Sequence, residues 1–229
     1  MIIDGRFRGP DESGNGGYVA GRLAGRVPVD TVTVTLRRPP PLDTELTVTK
    51  ENERGHSMRL WDGDVLVAEA LAGAIVVPPI APVPFEEALG GAEKYRAAEH
   101  HPFPRCFVCG PDQEPEVGLG LEPGPVADGT VATPWVPERV PERELVWAAL
   151  DCPGGWSFAV GGRPAVLGTM TGQVMDVPDA GERCVVVGFA RSSEGRKLHA
   201  ATALYGADGR LLGRAEQIWI EIDPERFGQ

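Results

Sequence analysis

The sequence predicts an α+β fold made of two tandem copies of one unit, each an antiparallel sheet wrapped around a central helix. Three observations predict it: an internal repeat, β-rich runs separated by Asp-Gly turns, and one short apolar helix-like stretch in each copy. Asn15-Gly16-Gly17-Tyr18 recurs in part as Pro153-Gly154-Gly155-Trp156 at an offset of 138, and the same offset takes Thr31-Val32-Thr33 to Thr169-Met170-Thr171. Glu45, just before Leu46-Thr47-Val48, meets Glu182, just before Cys184-Val185-Val186-Val187. Gly55 meets Gly195, and Asp62-Gly63-Asp64-Val65-Leu66 meets Asp208-Gly209-Arg210-Leu211-Leu212. The offset drifts by a few residues between matches, as loop insertions produce. Five weak matches in one order read as a duplication.

In the first copy, residues 1–80, a Gly-rich turn opens a helix-like stretch at 18–23 with its apolar and small residues on one side. Three β-rich runs follow, at Thr31–Leu36, at 46–50 with its continuation, and at 65–77. Asp62-Gly63 and Asp208-Gly209 each sit between apolar runs, a strong hairpin signal. A Pro-rich linker, residues 81–104, is announced by four prolines between Pro78 and Pro84, which make that stretch extended and semi-rigid. The second copy, residues 105–229, carries a helix-like stretch at 144–150 and strands at 166–175, 184–190, 198–205 and 211–222. Each unit alone leaves a sheet edge unpaired, so the two sheets are expected to join side by side.

Of the 229 residues, 42% are hydrophobic and 24% charged, the balance of an ordinary globular chain, which excludes disorder and collagen-like structure. No apolar run approaches the roughly 20 residues of a bilayer span. Met1-Ile2-Ile3-Asp4-Gly5-Arg6 lacks the basic start and apolar stretch of a secretion signal, so a cytoplasmic location is expected. A net charge of −11 argues against a nucleic-acid partner, and an anionic ligand would need a local basic patch. Four cysteines do not make a disulfide scaffold. Cys106-Phe107-Val108-Cys109 has the spacing of half a zinc site, with His100 and His101 upstream and Cys152 and Cys184 downstream. No second C-x2-C or H-x3-H completes it. The pair reads as two small, semi-buried thiols at a strand start, and neither metal nor cofactor is expected.

At this point the residues resemble the double-hotdog acyl-CoA thioesterases. The stretch from Gly16 to Ala24 is similar to the helix opening of the acyl-CoA thioesterase II type, and Arg37-Arg38-Pro39 resembles the strand that follows there. Cys106-Phe107-Val108-Cys109-Gly110 with Gly118-Leu119 resembles the start of many single-hotdog thioesterases. Leu150-Asp151, with Gly155-Trp156 shortly after, is similar to the helix on which those families carry a catalytic Asp. The spacing from Asp208-Gly209 to Gln217 resembles that from the last hairpin to the family's catalytic Gln, and Thr169 falls near its catalytic Thr. The resemblance implies a tandem double hotdog that hydrolyses an acyl-CoA thioester through Asp151, Gln217 and Thr169. Two departures stand out: the family's His-Gly-Gly is Asn15-Gly16-Gly17 here, and Pro153-Gly154 interrupts the helix after Asp151.

The residue types suit that chemistry. Asp151 ends the apolar run Leu145-Val146-Trp147-Ala148-Ala149-Leu150, where a carboxylate is costly unless it is paired or functional. Partial burial would raise its pKa toward that of a general base; the alternative is a turn cap before Pro153-Gly154-Gly155. Asn15, Gly16, Gly17 and Tyr18 are candidate substrate-binding residues: Gly16-Gly17 would leave the N–H groups of a helix N-terminus unshielded, so that a thioester carbonyl could approach Gly17 or Tyr18, although a Gly-Gly pair also serves tight turns and close helix packing. Gln217 shares a strand face with Trp219 and would orient a water there, or else faces solvent. Tyr18, Trp147 and Trp156 are candidates for an acyl pocket, a role they share with ordinary core aromatics. Arg37, Arg38, Arg54, Arg59, Arg191, Arg196 and Lys197 are candidate donors to CoA phosphates. The first copy has Ala70 where the second has Gln217 and no Asp equivalent to Asp151, so one composite site is expected.

Two other functions compete with hydrolysis of acyl-CoA. One is a non-catalytic acyl-CoA or lipid-binding protein. The other is an enoyl-CoA hydratase-like enzyme, which would need a His soon after its Asp, and none occurs before His199. Association into a homodimer through the exposed sheet faces is a further expectation.

Overall fold

The computed structural model describes residues 1–51, 56–96, 101–113, 117–159 and 163–223. In chain order, α1 (Gly16–Ala24) is followed by β1 (Thr31–Leu36), β2 (Thr47–Lys50), β3 (Ser57–Asp62) and β4 (Val65–Ala72). Then come α2 (Phe85–Arg96), β5 (Gly124–Ala127), β6 (Thr130–Trp135) and α3 (Arg143–Ala159). Strands β7 (Ala165–Val174), β8 (Cys184–Glu194), β9 (Lys197–Tyr205) and β10 (Leu211–Glu221) complete the chain. All ten strands form one sheet in the order β2-β3-β4-β1-β7-β10-β9-β8-β6-β5, antiparallel at every pairing, so the expected continuous sheet is present.

Local chemistry accounts for the strands. The β-branched run Thr31-Val32-Thr33-Val34-Thr35 alternates, with Val32 and Val34 buried and the threonines half-buried on the other face. The β3–β4 and β9–β10 hairpins turn at the two predicted Asp-Gly pairs, where Gly63 and Gly209 hold φ of 54° and 80°. The seam between β1 and β7 pairs Thr33 with Thr171 and Thr35 with Thr169.

Helices α1 and α3 pack together on one face of the sheet. Gly17 and Gly21, one helical turn apart, make that approach close. A Cβ at Gly17 would lie 2.4 Å from the Asp151 Cβ, and one at Gly21 would lie 2.8 Å from the Trp147 Cβ. The Trp147 indole in turn covers Gly172 of β7. This places the N-terminus of α1 against the middle of α3, in the largest buried cluster of the molecule.

The structure corrects several expectations. Helix α3 does not stop near Leu150 but runs through Pro153 to Ala159. Proline removes the helical donor to the Ala149 carbonyl, and Gln217 Nε2 donates to the neighbouring Leu150 carbonyl at 2.6 Å. Gly154 and Gly155 let α3 settle onto Gln217 and Trp219 of β10, so this Gly-Gly pair serves helix–sheet packing. Within 81–104 lies α2, which covers the other face of the sheet by burying Ala88 beside Ala132, Val185, Val187 and Ala203. Its capping charges, Glu86 and Glu87 first and Lys94 and Arg96 last, were the legible signal. The β5–β6 hairpin was also unexpected, although it turns at Asp128-Gly129 with Gly129 at φ 62°. Strand β4 ends at Ala72 rather than at 77. Cys106 and Cys109 are fully buried in a turn segment, not half-buried at a strand start. Arg54, Gly55 and His100 lie outside the described residues. No helix among the described residues is long and apolar enough to cross a membrane.

Candidate active site

The site is built where α1 begins against α3. Asn15 is the N-cap of α1: its Oδ1 accepts from the Tyr18 N–H at 2.9 Å, satisfying one of the orphan donors of the first turn. The other end of the same amide donates to Asp151 Oδ2 at 3.0 Å, and the Gly17 N–H donates to that oxygen at 3.0 Å as well. Asp151 is only 2% exposed, and its second oxygen, Oδ1, has no partner among the described residues. Burial pushes its carboxyl up to about 7; the Gly17 hydrogen bond pulls downward, nearby Cys106 adds to the rise, and the Asn15 bond pulls downward again. The first N–H of α1, on Gly16, has no acceptor among the described residues. One carboxylate oxygen, itself shielded from solvent, and one backbone donor are therefore without a protein partner among the described residues.

Both residues line a cavity of about 340 Å³. Leu36, Leu167, Trp156, Trp219 and Ile220 give it apolar walls, and Arg37, Arg38, Arg163 and Arg196 stand around it. Arg37 is paired with Glu69, Arg163 donates to Glu221 at 2.7 Å, and Arg196 donates to the Glu221 carbonyl at 3.0 Å. Arg38 is exposed and has no carboxylate partner among the described residues. This rim is a local cationic patch on a chain of net charge −11.

The predicted residues divide into two groups. Asp151, Asn15, Gly16 and Trp156 meet at the cavity. The Gly17 and Tyr18 N–H groups are not available to a carbonyl, because Asp151 and Asn15 already accept from them. The Tyr18 ring stacks on Phe7 at 3.8 Å and Trp147 fills the α1–α3–β7 core, so neither lines the cavity. Gln217 is 2% exposed, with Nε2 on the Leu150 carbonyl and Oε1 accepting from the Trp219 indole N–H at 2.8 Å. It shares the Trp219 face as expected, but its amide is committed to α3 and Trp219. Thr169 lies on the opposite face, 3.4 Å from the Thr35 hydroxyl, near His199 and Arg191. Arg191 is paired with Glu216 and Arg59 with Glu51. Arg163, which sequence reasoning missed, belongs to the cavity; it precedes β7 and carries no motif.

Cys106, Cys109 and Cys152 also reach the cavity, with His101 and Trp156 beside them. Hydrogen bonds from Cys109 and Cys152 hold the Cys106 thiol well below its ordinary pKa, and burial pushes Cys109 up.

No known family profile matches the sequence, and no curated protein resembles it in sequence. Solved structures do resemble its fold. The tesB protein of Mycobacterium avium subs paratuberculosis superposes with a TM-score of 0.59 at 14% identity, covering 93% of this chain and 89% of that one. A provisionally named thioesterase from Novosphingobium aromaticivorans gives 0.63 at 13% identity, covering 97% and 94%. A protein of unknown function with a hot dog fold from Alicyclobacillus acidocaldarius gives 0.61 at 14% identity, covering 97% and 92%. With its ten-stranded antiparallel sheet packed on α1 and α3, the chain is a hotdog-fold protein.

Proposed function

We propose that the protein hydrolyses an acyl-CoA thioester to CoA and a free acid. The observation that carries this reading is buried Asp151, whose Oδ1 has no partner among the described residues, at one apolar cavity that Gly16 also lines and that has an arginine rim. The thioester carbonyl accepts from the Gly16 N–H, where the helix N-terminus favours developing negative charge. Asp151 takes a proton from a water as that water attacks the carbonyl carbon. The tetrahedral intermediate collapses, the C–S bond breaks, and the departing CoA thiolate recovers the proton from Asp151. Asn15 and Gly17 hold Oδ2 so that Oδ1 is the oxygen presented. The acyl chain lies among Leu36, Leu167 and Trp219, and Arg38 with its neighbours meets the CoA phosphates. Gln217 acts through α3, holding the turn that carries Asp151, rather than through a water.

The same reading takes the chain as two hotdog copies, 1–80 and 105–229, joined through 81–104. Supporting it, the fold match spans most of the chain, and one composite site draws Asn15 from one copy and Asp151 from the other. A binding-only protein is the second reading. It is favoured by the use of Gly17 as a donor to Asp151 instead of to substrate. Release of free thiol from a panel of acyl-CoA esters, measured beside thermal shifts with a non-hydrolysable CoA analogue, separates the two. Hydrolysis predicts thiol release above buffer for at least one chain length; stabilisation by the analogue with no release for any ester would establish binding alone.

A further inference from the structure

Three of the four cysteines meet in one buried cluster. Cys106 and Cys109 lie in the turn segment before β5 and Cys152 in α3, with all three Sγ atoms within 4.8 Å of one another. The Cys106 and Cys152 sulfurs are 3.8 Å apart. Two thiolates bound at about 2.3 Å to one tetrahedral zinc ion are separated by about 3.8 Å. The turn that presents the first two is rigidly held. The Cys106 N–H donates to the Phe103 carbonyl at 2.9 Å, and the Gly110 N–H to the Cys106 carbonyl at 2.8 Å. A Cβ at Gly110 would lie 2.4 Å from the Cys106 nitrogen, so the tight turn requires glycine there.

The surroundings of the sulfurs are polar, unlike those of thiols packed as small hydrophobes. The Trp156 indole N–H donates to Cys109 Sγ at 3.4 Å, and His101 Nε2 stands 3.5 Å from the same sulfur. His101 Nδ1 accepts from the Phe103 N–H at 3.0 Å, which puts the ring proton on Nε2, facing that sulfur. Asn15 Nδ2 lies 3.9 Å from Cys152 Sγ and 4.0 Å from Cys106 Sγ. N–H groups aimed at buried sulfurs are the outer shell of a metal thiolate, whose negative charge they offset.

We propose that Cys106, Cys109 and Cys152 bind one thiophilic metal ion, Zn²⁺, as a three-thiolate site. Binding releases whatever protons the three thiols still carry, and the fourth coordination position is left to a water from the cavity. His101 and Trp156 serve as donors to the Cys109 sulfur and are not ligands. The half-signature in the sequence was incomplete because its third ligand comes from α3, and the metal-free expectation is revised on that ground. The ion would tie the 101–110 turn to α3 next to Asp151. Nothing in this proposal depends on the hydrolase reading, since zinc uptake is measured without substrate.

The test is equilibration of the reduced full chain with Zn²⁺, then metal analysis and X-ray absorption. The expected result is one zinc per chain with three sulfurs at about 2.3 Å. Cobalt in place of zinc should give thiolate-to-metal charge-transfer absorption. Cys152→Ser should abolish stoichiometric uptake, whereas Cys184→Ser, at a buried thiol outside the cluster, should leave it unchanged. Failure of the reduced wild-type protein to take up zinc, a shell of only oxygen and nitrogen, or undiminished uptake by folded Cys152→Ser would each overturn the proposal. The wild-type measurement decides even if the serine variants do not fold.

Discussion

The hydroxyls of Thr33 and Thr171 meet at 2.8 Å across the β1–β7 seam, and the two residues stand 138 apart in the chain. That separation is also the offset at which the sequence repeats itself. Two copies related by a twofold axis between adjacent strands must bring a residue on the axis opposite its own counterpart, so this pairing supports the duplication. Cross-strand threonine pairs contribute roughly 0.2–1 kcal/mol. Thr33→Val, Thr171→Val and the double variant should give a coupling energy of that size in urea unfolding. Strict additivity would remove the seam pair as a stabilising contact.

Asn15 has two duties that substitution separates. Asn15→Ser retains a capping oxygen for α1 but loses the donor to Asp151, while Asn15→Ala loses both. A hydrogen bond to a charged buried group is worth about 1.5–3 kcal/mol and a cap about 1 kcal/mol. Denaturant unfolding should therefore rank wild type above Ser and Ser above Ala, and both variants should lose activity. Equal stability of Ser and Ala would show that the cap contributes nothing.

Gln217 and Thr169 should behave unlike catalytic groups. Gln217→Leu removes the donor to the Leu150 carbonyl and leaves the Trp219 N–H without its acceptor, a cost of about 1–3 kcal/mol for a buried unsatisfied group. The melting temperature should fall clearly. Thr169→Val removes a single 3.4 Å contact on the face away from the cavity and should leave turnover unchanged. A large loss of turnover in a fully stable Thr169→Val would place a functional group on that face.

Arg38 should matter only for the CoA portion of the substrate. An exposed charge pair contributes at most about 1 kcal/mol, so Arg38→Ala should raise KM for acyl-CoA by up to about fivefold. Hydrolysis of a short thioester lacking the nucleotide should not change. Equal effects on both substrates would remove Arg38 from phosphate binding.

Much of this fold was legible because its strands are β-branched and its hairpins turn at Asp-Gly. Strand β1 and the strands of the second half fall close to where periodicity puts them. The β5–β6 hairpin was missed because Gly124-Pro125 and Pro134 disguise two short edge-side strands, and α2 because the proline run before it dominates the local signal. Asp151 was legible because a carboxylate in an apolar helix is costly without a purpose. The commitments of Gln217 and Thr169 were not, because spacing along a strand does not reveal which partners a side chain meets. An extra residue in β7, Gly168 opposite Ile218/Trp219, breaks the alternation of β7 just before Thr169. Nor does a chain order reveal that Cys152 packs against Cys106, since helix–turn contacts of that kind arise only on folding.

The hydrolase proposal rests on Asp151 as the base, and Asp151→Asn tests it most directly. The amide retains an oxygen for Asn15 and Gly17 and keeps the side-chain shape, but it cannot take a proton. Turnover of a hydrolysed acyl-CoA, measured on samples whose melting temperature confirms folding, should fall about 10²–10⁴-fold. Full activity in folded Asp151→Asn would contradict the assignment of Asp151 as the base.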